Sequence, residues 1–191
     1  MTNFIEILNS IDTRITLFLN QFHNSFFDFV MYWISDKFIW IPLYLFLLYL
    51  VIKTEKKKTY LVLFFILVLI IISDQTSCFI KDMVKRTRPC HDDGIILKIH
   101  IVKNYCGGEY GFVSSHASNI FAISIFIIKL LKQNFKWLAP SLIIWASIVS
   151  FSRIYLGVHY LGDVICGAVF GACVALMVFK IYTIVKNKIF N

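Results

Sequence analysis

Five apolar segments run along this chain between clusters of polar residues: Phe38 to Ile52, Thr59 to Ile80, Ser115 to Leu131, Trp137 to Ser152, and Tyr160 to Tyr182. Some fall short of the ~20 residues that a bilayer core requires, so their polar-looking ends must extend the helices they predict. The N-terminal third is also rich in Phe, Leu and Ile, yet it carries Asn20, Gln21, His23, Asn24 and Asp28. That mixture suits a helix lying in the membrane interface better than a span, and leaves a sixth crossing open. The expected fold is all-α, a polytopic membrane bundle of five or six transmembrane helices with an N-terminal interfacial helix. One domain, 1–191, is expected, with residues 1–36 as N-terminal helices and 37–191 as the helical core.

The lysines orient the spans. Lys53, Lys56, Lys57 and Lys58 follow the first span, Lys129, Lys132 and Lys136 separate the third from the fourth, and Lys180, Lys186 and Lys188 close the chain. Positive charge concentrates at cytoplasmic ends, so the second span runs outward and the loop Cys90 to Val113 lies outside. The third span returns inward, the fourth reaches the outer face near Ser152 and Arg153, and the fifth starts there near His159. Three polar clusters, far apart in sequence, thereby meet at one membrane face. The stretch before Asp12 holds no Lys or Arg and is broken by Glu6, Asn9 and Ser10, unlike a signal peptide, so insertion through the chain's own helices is expected.

Composition excludes the main alternatives. The 191 residues are 59% hydrophobic and 16% charged, with mean hydropathy +0.75, well away from a water-soluble globule. Disorder needs the opposite balance, and eight Gly with three Pro, without any period, exclude collagen-like chains. The net charge of +8 is accounted for by the span ends, and no basic, aromatic, water-exposed element suggests nucleic acid.

Each polar cluster has a chemistry. Lys81 and Arg88 are seven residues apart, so both project from one face if the helix continues to Pro89, and together they can grip a dianion. Asp74, seven residues further back, is a functional candidate or a partner for a buried cation. Lys85, Arg86 and Lys98 read as solvated or headgroup-facing surface. Ser114, Ser115 and His116 precede an apolar helix, where hydroxyls and free N–H groups suit an anion; Ser114 is equally an ordinary N-cap. His159 and Asp163 lie four apart on one helical face, with Arg153 just before them. A carboxylate holding one imidazole nitrogen leaves the other as a defined lone pair, which makes His159 a candidate nucleophile.

The three patterns, K-x-x-x-x-x-x-R-P, S-x-H and S-R-x-x-x-x-x-H-x-x-x-D, resemble the signatures of the type 2 phosphatidic acid phosphatase superfamily, in order, over Lys81 to Asp163. The second signature usually reads P-S-G-H; here Val113 stands for Pro and Ser115 for Gly. The resemblance implies a lipid phosphatase in which Lys81, Arg88 and Arg153 bind phosphoryl oxygens, completed by Ser114 and the amides of Ser115 and His116. It further implies that His159 attacks phosphorus, Asp163 orients it and His116 protonates the leaving oxygen. Three fixed cations and a helix N-terminus stabilise such a transition state without a metal, so no metal or cofactor is expected. Vanadium-dependent haloperoxidases share the signatures but are soluble and much larger.

The substrate expected from the resemblance is a membrane lipid phosphate, undecaprenyl diphosphate first, with phosphatidylglycerophosphate, phosphatidate and the lipid A phosphates as rivals. The location expected is a bacterial inner membrane with the active site facing the periplasm; the sequence leaves the oligomeric state open. A transporter, whose charges line a path at mid-bilayer, is the competing class. Cys90 and Cys106, both in the outer loop, either form a disulfide or are unrelated thiols, whereas Cys78, Cys166 and Cys173 read as packing residues. His23, His91 and His100 read as surface or interfacial residues, and Tyr155 and Tyr160 as aromatic belt. Gly157, Gly162, Gly167 and Gly171 read as permitting close helix approach.

Overall fold

The computed structural model describes residues 2–190, with side chains from residue 4; the two ends of the range 1–191 lie outside the described residues. Seven α-helices occur among them: α1 (Thr2–Asn20), α2 (Ser25–Ser35), α3 (Ile41–Glu55), α4 (Thr59–Val84), α5 (Ser115–Leu131), α6 (Leu138–Tyr155) and α7 (Leu161–Phe190). The five apolar segments became α3 to α7. Lys37–Val84, which holds α3 and α4 about the turn at Lys56–Lys58, and α6 and α7 are long and apolar enough to cross a bilayer, while α5 is a shorter apolar helix. Neither α1 nor α2 reaches that length and hydropathy. On α1, Phe4, Ile7, Leu8, Ile11 and Phe18 are exposed on a strongly amphipathic helix, as an interfacial element requires.

Local chemistry sets the boundaries. Asn24 caps α2 by accepting from the Phe27 N–H at 2.9 Å, and Pro42 sits in the first turn of α3, where its missing N–H costs nothing. Helix α4 stops at Val84 because Lys85 turns left-handed at φ 52°, its N–H bonding the Lys81 carbonyl at 2.8 Å. The expected continuation to Pro89 therefore does not occur. Between α6 and α7 the chain reverses through Gly157, at φ +73°, where a Cβ would lie 2.6 Å from the His100 carbonyl oxygen.

The bundle is built around α5, which packs most extensively on α7 and is flanked by α4 and α6. Gly167 and Gly171 of α7 make that approach possible. A Cβ on Gly167 would meet the Ser114 carbonyl oxygen at 2.6 Å, and one on Gly171 would collide with that of Ser118. Away from the polar clusters, Phe126 packs edge-on to Tyr182 (5.8 Å between centroids) and Phe179 (5.6 Å) in the main apolar core. The antiparallel order puts the end of α4, the start of α5, the end of α6 and the start of α7 together. The lysine-rich termini of the same helices lie at the opposite end, where Lys186 pairs with Glu55 at 2.8 Å.

Candidate active site

The long segment between α4 and α5 is pinned before it can act. Arg88 N–H donates to the Glu109 carbonyl at 3.0 Å and Gly111 N–H to that of Arg86 at 2.8 Å, and Thr87 bridges Tyr110. Cys90 and Cys106 are joined as a disulfide across this segment, with Cα atoms 5.9 Å apart. Arg88 therefore reaches the site from a fixed loop rather than from the helix face that carries Lys81. Its Nε donates to the Tyr110 carbonyl at 3.1 Å, which aims Nη1 at His159 Nε2, 3.3 Å away.

That contact decides the tautomer of His159. A guanidinium has no lone pair to offer, so Nε2 accepts and the ring proton resides on Nδ1. The opposite side agrees, because Nδ1 faces Asp163 Oδ2 at 3.4 Å, an oxygen that also accepts the Tyr160 N–H at 3.1 Å. His159 and Asp163 are 2% and 0% exposed. Burial first, then the charges of Arg88, Arg153 and Lys81, hold the His159 pKa well below that of an ordinary imidazole. The ring is thus neutral at pH 7, with its free lone pair facing the cations. Gly111 makes room for this pair, since a Cβ there would stand 2.8 Å from Asp163 Oδ2.

The start of α5 enters from the side. Ser114 is fully buried and caps the helix, its Oγ accepting from Ala117 N–H at 3.5 Å, while its own N–H donates to the Asp163 carbonyl at 3.0 Å. Ser115 Oγ contacts Ser77 Oγ at 2.6 Å and accepts from Lys81 Nζ. The N-cap reading holds for the Ser114 side chain, and it is Ser115 that touches the lysine. Asp74 accepts from Asn119 Nδ2 at 3.0 Å. Arg153, 3% exposed, donates to Ser35 Oγ and its guanidinium lies 5.6 Å from the Tyr105 ring centre. His116 Nε2 lies 3.3 Å from the Ser35 carbonyl. Of these side chains, His116, Arg153, Ser35 and Tyr105 open into a cavity of about 320 Å³ that Tyr32 and Lys37 also line.

Several expectations change. Arg86 is not surface: it donates through Nη1 to Asp163 Oδ1 at 2.9 Å and through Nη2 to Asp12 Oδ2 at 2.7 Å. Tyr155 and Tyr160 are buried rather than belt residues; Tyr155 donates to Asp28 Oδ1 at 2.7 Å and Tyr160 to Asp92 Oδ2 at 2.6 Å. His23 and His100 keep their surface or interfacial place, His23 exposed, and His100 additionally bonds Asp28 at 3.0 Å and stacks on His23 at 3.7 Å. Cys78, Cys166 and Cys173 lie on the bundle exterior, not in its packing. Gly157 serves a turn and Gly162 faces the Asp12 carboxylate, where a Cβ would lie 2.7 Å from Oδ2. Arg86, Asp12, Ser35 and Gly111 gave no signal of their own in the sequence, Arg86 being one of several cations in a basic run.

Residues 59–186 match the family model of the PAP2 superfamily. The chain belongs to the PAP2 superfamily. It is 37% identical to a lipid A 4'-phosphatase of Bacteroides thetaiotaomicron over 170 residues, covering 87% of this chain and 75% of that one. It is 30% identical to a lipid A 4'-phosphatase of Porphyromonas gingivalis over 187 residues, covering 96% and 78%. Its fold superposes on a Bacillus subtilis transmembrane PAP2-type phosphatidylglycerolphosphate phosphatase with TM-score 0.72 at 19% identity, covering 92% and 86%. The protein is a bacterial membrane phosphatase acting on a lipid phosphate, which sets aside the transporter.

Proposed function

We propose that this PAP2 phosphatase removes a phosphate monoester from a lipid A-type glycolipid through a phosphohistidine on His159. The observation that carries the chemistry is the buried His159 with Nδ1 on Asp163 and Nε2 facing Arg88. The headgroup rests on the two lipid A 4'-phosphatases, each matched along most of this chain. They favour that rival over undecaprenyl diphosphate, the leading expectation from the resemblance.

In this reading Lys81, Arg88 and Arg153 take the phosphoryl oxygens, and Arg88 turns from Nε2 to the substrate as it binds. Burial, then the charge of Arg153, lowers the Arg88 pKa from its usual value, and an arriving anion relieves that crowding. Nε2 attacks phosphorus as the ester bond breaks, and His116, which takes up the proton brought in with the phosphate monoanion, gives it to the leaving oxygen. Asp163 offsets the positive charge that grows on the ring. Water, deprotonated by His116, then cleaves the phosphorus–nitrogen bond and releases phosphate. No metal enters these steps. The lysine-rich end is cytoplasmic by the positive-inside rule, so the site faces the periplasm, and the whole chain acts as one domain.

The test is phosphate release by detergent-purified protein with EDTA present, from lipid A, undecaprenyl diphosphate, phosphatidylglycerophosphate and phosphatidate, with His159→Ala as control. Fastest release from lipid A, and none from the variant, is expected. Faster release from undecaprenyl diphosphate overturns the headgroup assignment, and turnover by His159→Ala overturns the mechanism. A Lys98→Cys variant labelled by an impermeant maleimide in spheroplasts checks the orientation; protection there reverses it.

A further inference from the structure

Two charges that the three signatures leave unspecified reach the nucleophile in line. Asp12 of α1 accepts from Arg86 Nη2 at 2.7 Å, and Arg86 Nη1 donates to Asp163 Oδ1 at 2.9 Å. Asp163 Oδ2 in turn faces His159 Nδ1. The second oxygen of Asp12 accepts the Gly162 N–H at 2.8 Å, so α1 is tied both to the arginine and to the turn that starts α7. Arg86 is braced from the other side by Tyr160, its guanidinium carbon 4.1 Å from the ring centre, and Tyr160 is itself held by Asp92. Each group is therefore fixed by at least two neighbours.

A carboxylate with no solvent exposure, such as Asp163, holds its charge only when a cation and hydrogen bonds replace the lost water. Tyr160 N–H supplies one bond, but His159 is neutral, so the cation in direct contact is Arg86. Without it the carboxyl is driven towards its protonated form. A neutral acid can donate a hydrogen bond to Nδ1 as acceptor, which favours the tautomer with the ring proton on Nε2 and removes the attacking lone pair. It also fails to offset the positive ring that forms with the phosphorus–nitrogen bond.

We propose that Arg86, aimed by Asp12 of α1, is a positioning residue that keeps Asp163 ionised and His159 in its nucleophilic tautomer. This rests on the reading of His159 as nucleophile. The interfacial helix α1 is then part of the catalytic unit, although it contributes no group that touches phosphate. The other charged or titratable groups near Asp163 are His159 and Tyr160 before it, Arg88 from the loop, Lys81 at the end of α4, and Cys166 further along α7. None of them donates to a carboxylate oxygen of Asp163 through a charged side chain; among the described residues Arg86 alone does so.

The experiment compares kcat, KM and their pH dependence for full-length wild type, Arg86→Gln, Arg86→Lys, Asp12→Asn and His159→Ala. For Arg86→Gln, kcat at pH 7 should fall about 10²-fold, within the range expected for loss of acid–base and orientation effects, with KM within about threefold. The acidic limb of its kcat profile should move up by about one pH unit or more, so the deficit narrows as pH rises. Arg86→Lys should recover most of the rate and the original limb. Asp12→Asn, which keeps the oxygen that accepts from Gly162, should shift the limb the same way by less. Wild-type kcat and an unmoved limb in Arg86→Gln overturn the proposal. A loss equal at every pH and not rescued by lysine also overturns it, leaving Arg86 a structural strut. If Arg86→Gln does not fold, Asp12→Asn decides by the same limb. Turnover by His159→Ala brings down the nucleophile reading instead, and is read separately.

Discussion

The two ends of the bundle carry positive charge in opposite ways. At the end where α4, α6 and the loops converge, Arg88 and Arg153 are packed beside His159 with most of their water removed. At the other end Lys56, Lys57, Lys132, Lys136 and Lys188 sit exposed on the rim, and Lys186 meets Glu55. Between the ends lies an apolar layer in which Phe126 and Tyr182 are fully buried. Exposed ammonium groups cost little and contribute little. Buried cations are tolerated only where oppositely charged or accepting groups replace the solvent, and here Asp12, Asp163, Ser35, Ser115 and several carbonyls do so. One end leaves its cations to the solvent, whereas the other gathers them out of it.

Substitutions should separate the two regions. His159→Ala removes the nitrogen proposed to attack phosphorus and should lower kcat by on the order of 10⁴-fold, with little change in the unfolding midpoint, as phosphate release and thermal melts would show. Phe126→Ala should do the reverse. It should cost about 3 kcal/mol of stability by opening a cavity, read as a lower unfolding midpoint, while the folded fraction turns over at the wild-type rate. A loss of kcat there as large as in His159→Ala would mean that the apolar layer and the site are not separable.

Acid should weaken the polar end first. The His159 pKa is lower folded than unfolded, so below about pH 6.5 the unfolded chain binds a proton that the folded chain does not, and stability falls as pH falls. For this one proton the slope is about 1.4 kcal/mol per pH unit. It should be missing from His159→Ala when unfolding is followed from pH 7 to pH 5. The smallest effect belongs to Lys85→Ala. This residue is exposed and touches no site group, so kcat/KM should change by less than about twofold; a larger loss would mean that the cation cluster extends onto the surface.

How much of this was legible depended on whether a residue's role is local. The five apolar segments and the His159/Asp163 pair are visible because span length and a four-residue helical spacing are one-dimensional. Lys81 and Arg88 were expected together for the wrong reason: α4 ends at Val84 and Arg88 arrives on a pinned loop. Ser114 and Ser115 look interchangeable in the sequence, yet one caps α5 and the other meets Lys81. Arg86 could not be told from Lys85, since its two carboxylates, Asp12 and Asp163, are 74 and 77 residues away.

The sequence by itself therefore determined the membrane class, the helical bundle, the superfamily and the polar clusters that the proposed mechanism uses, because hydrophobic length and the signature spacings act along the chain. Only the tertiary structure decided which histidine nitrogen carries the proton, which cation keeps Asp163 charged, and that an interfacial helix is wired to the nucleophile. Those outcomes depend on removing water from particular groups, and burial is a property of the packed bundle rather than of any segment alone.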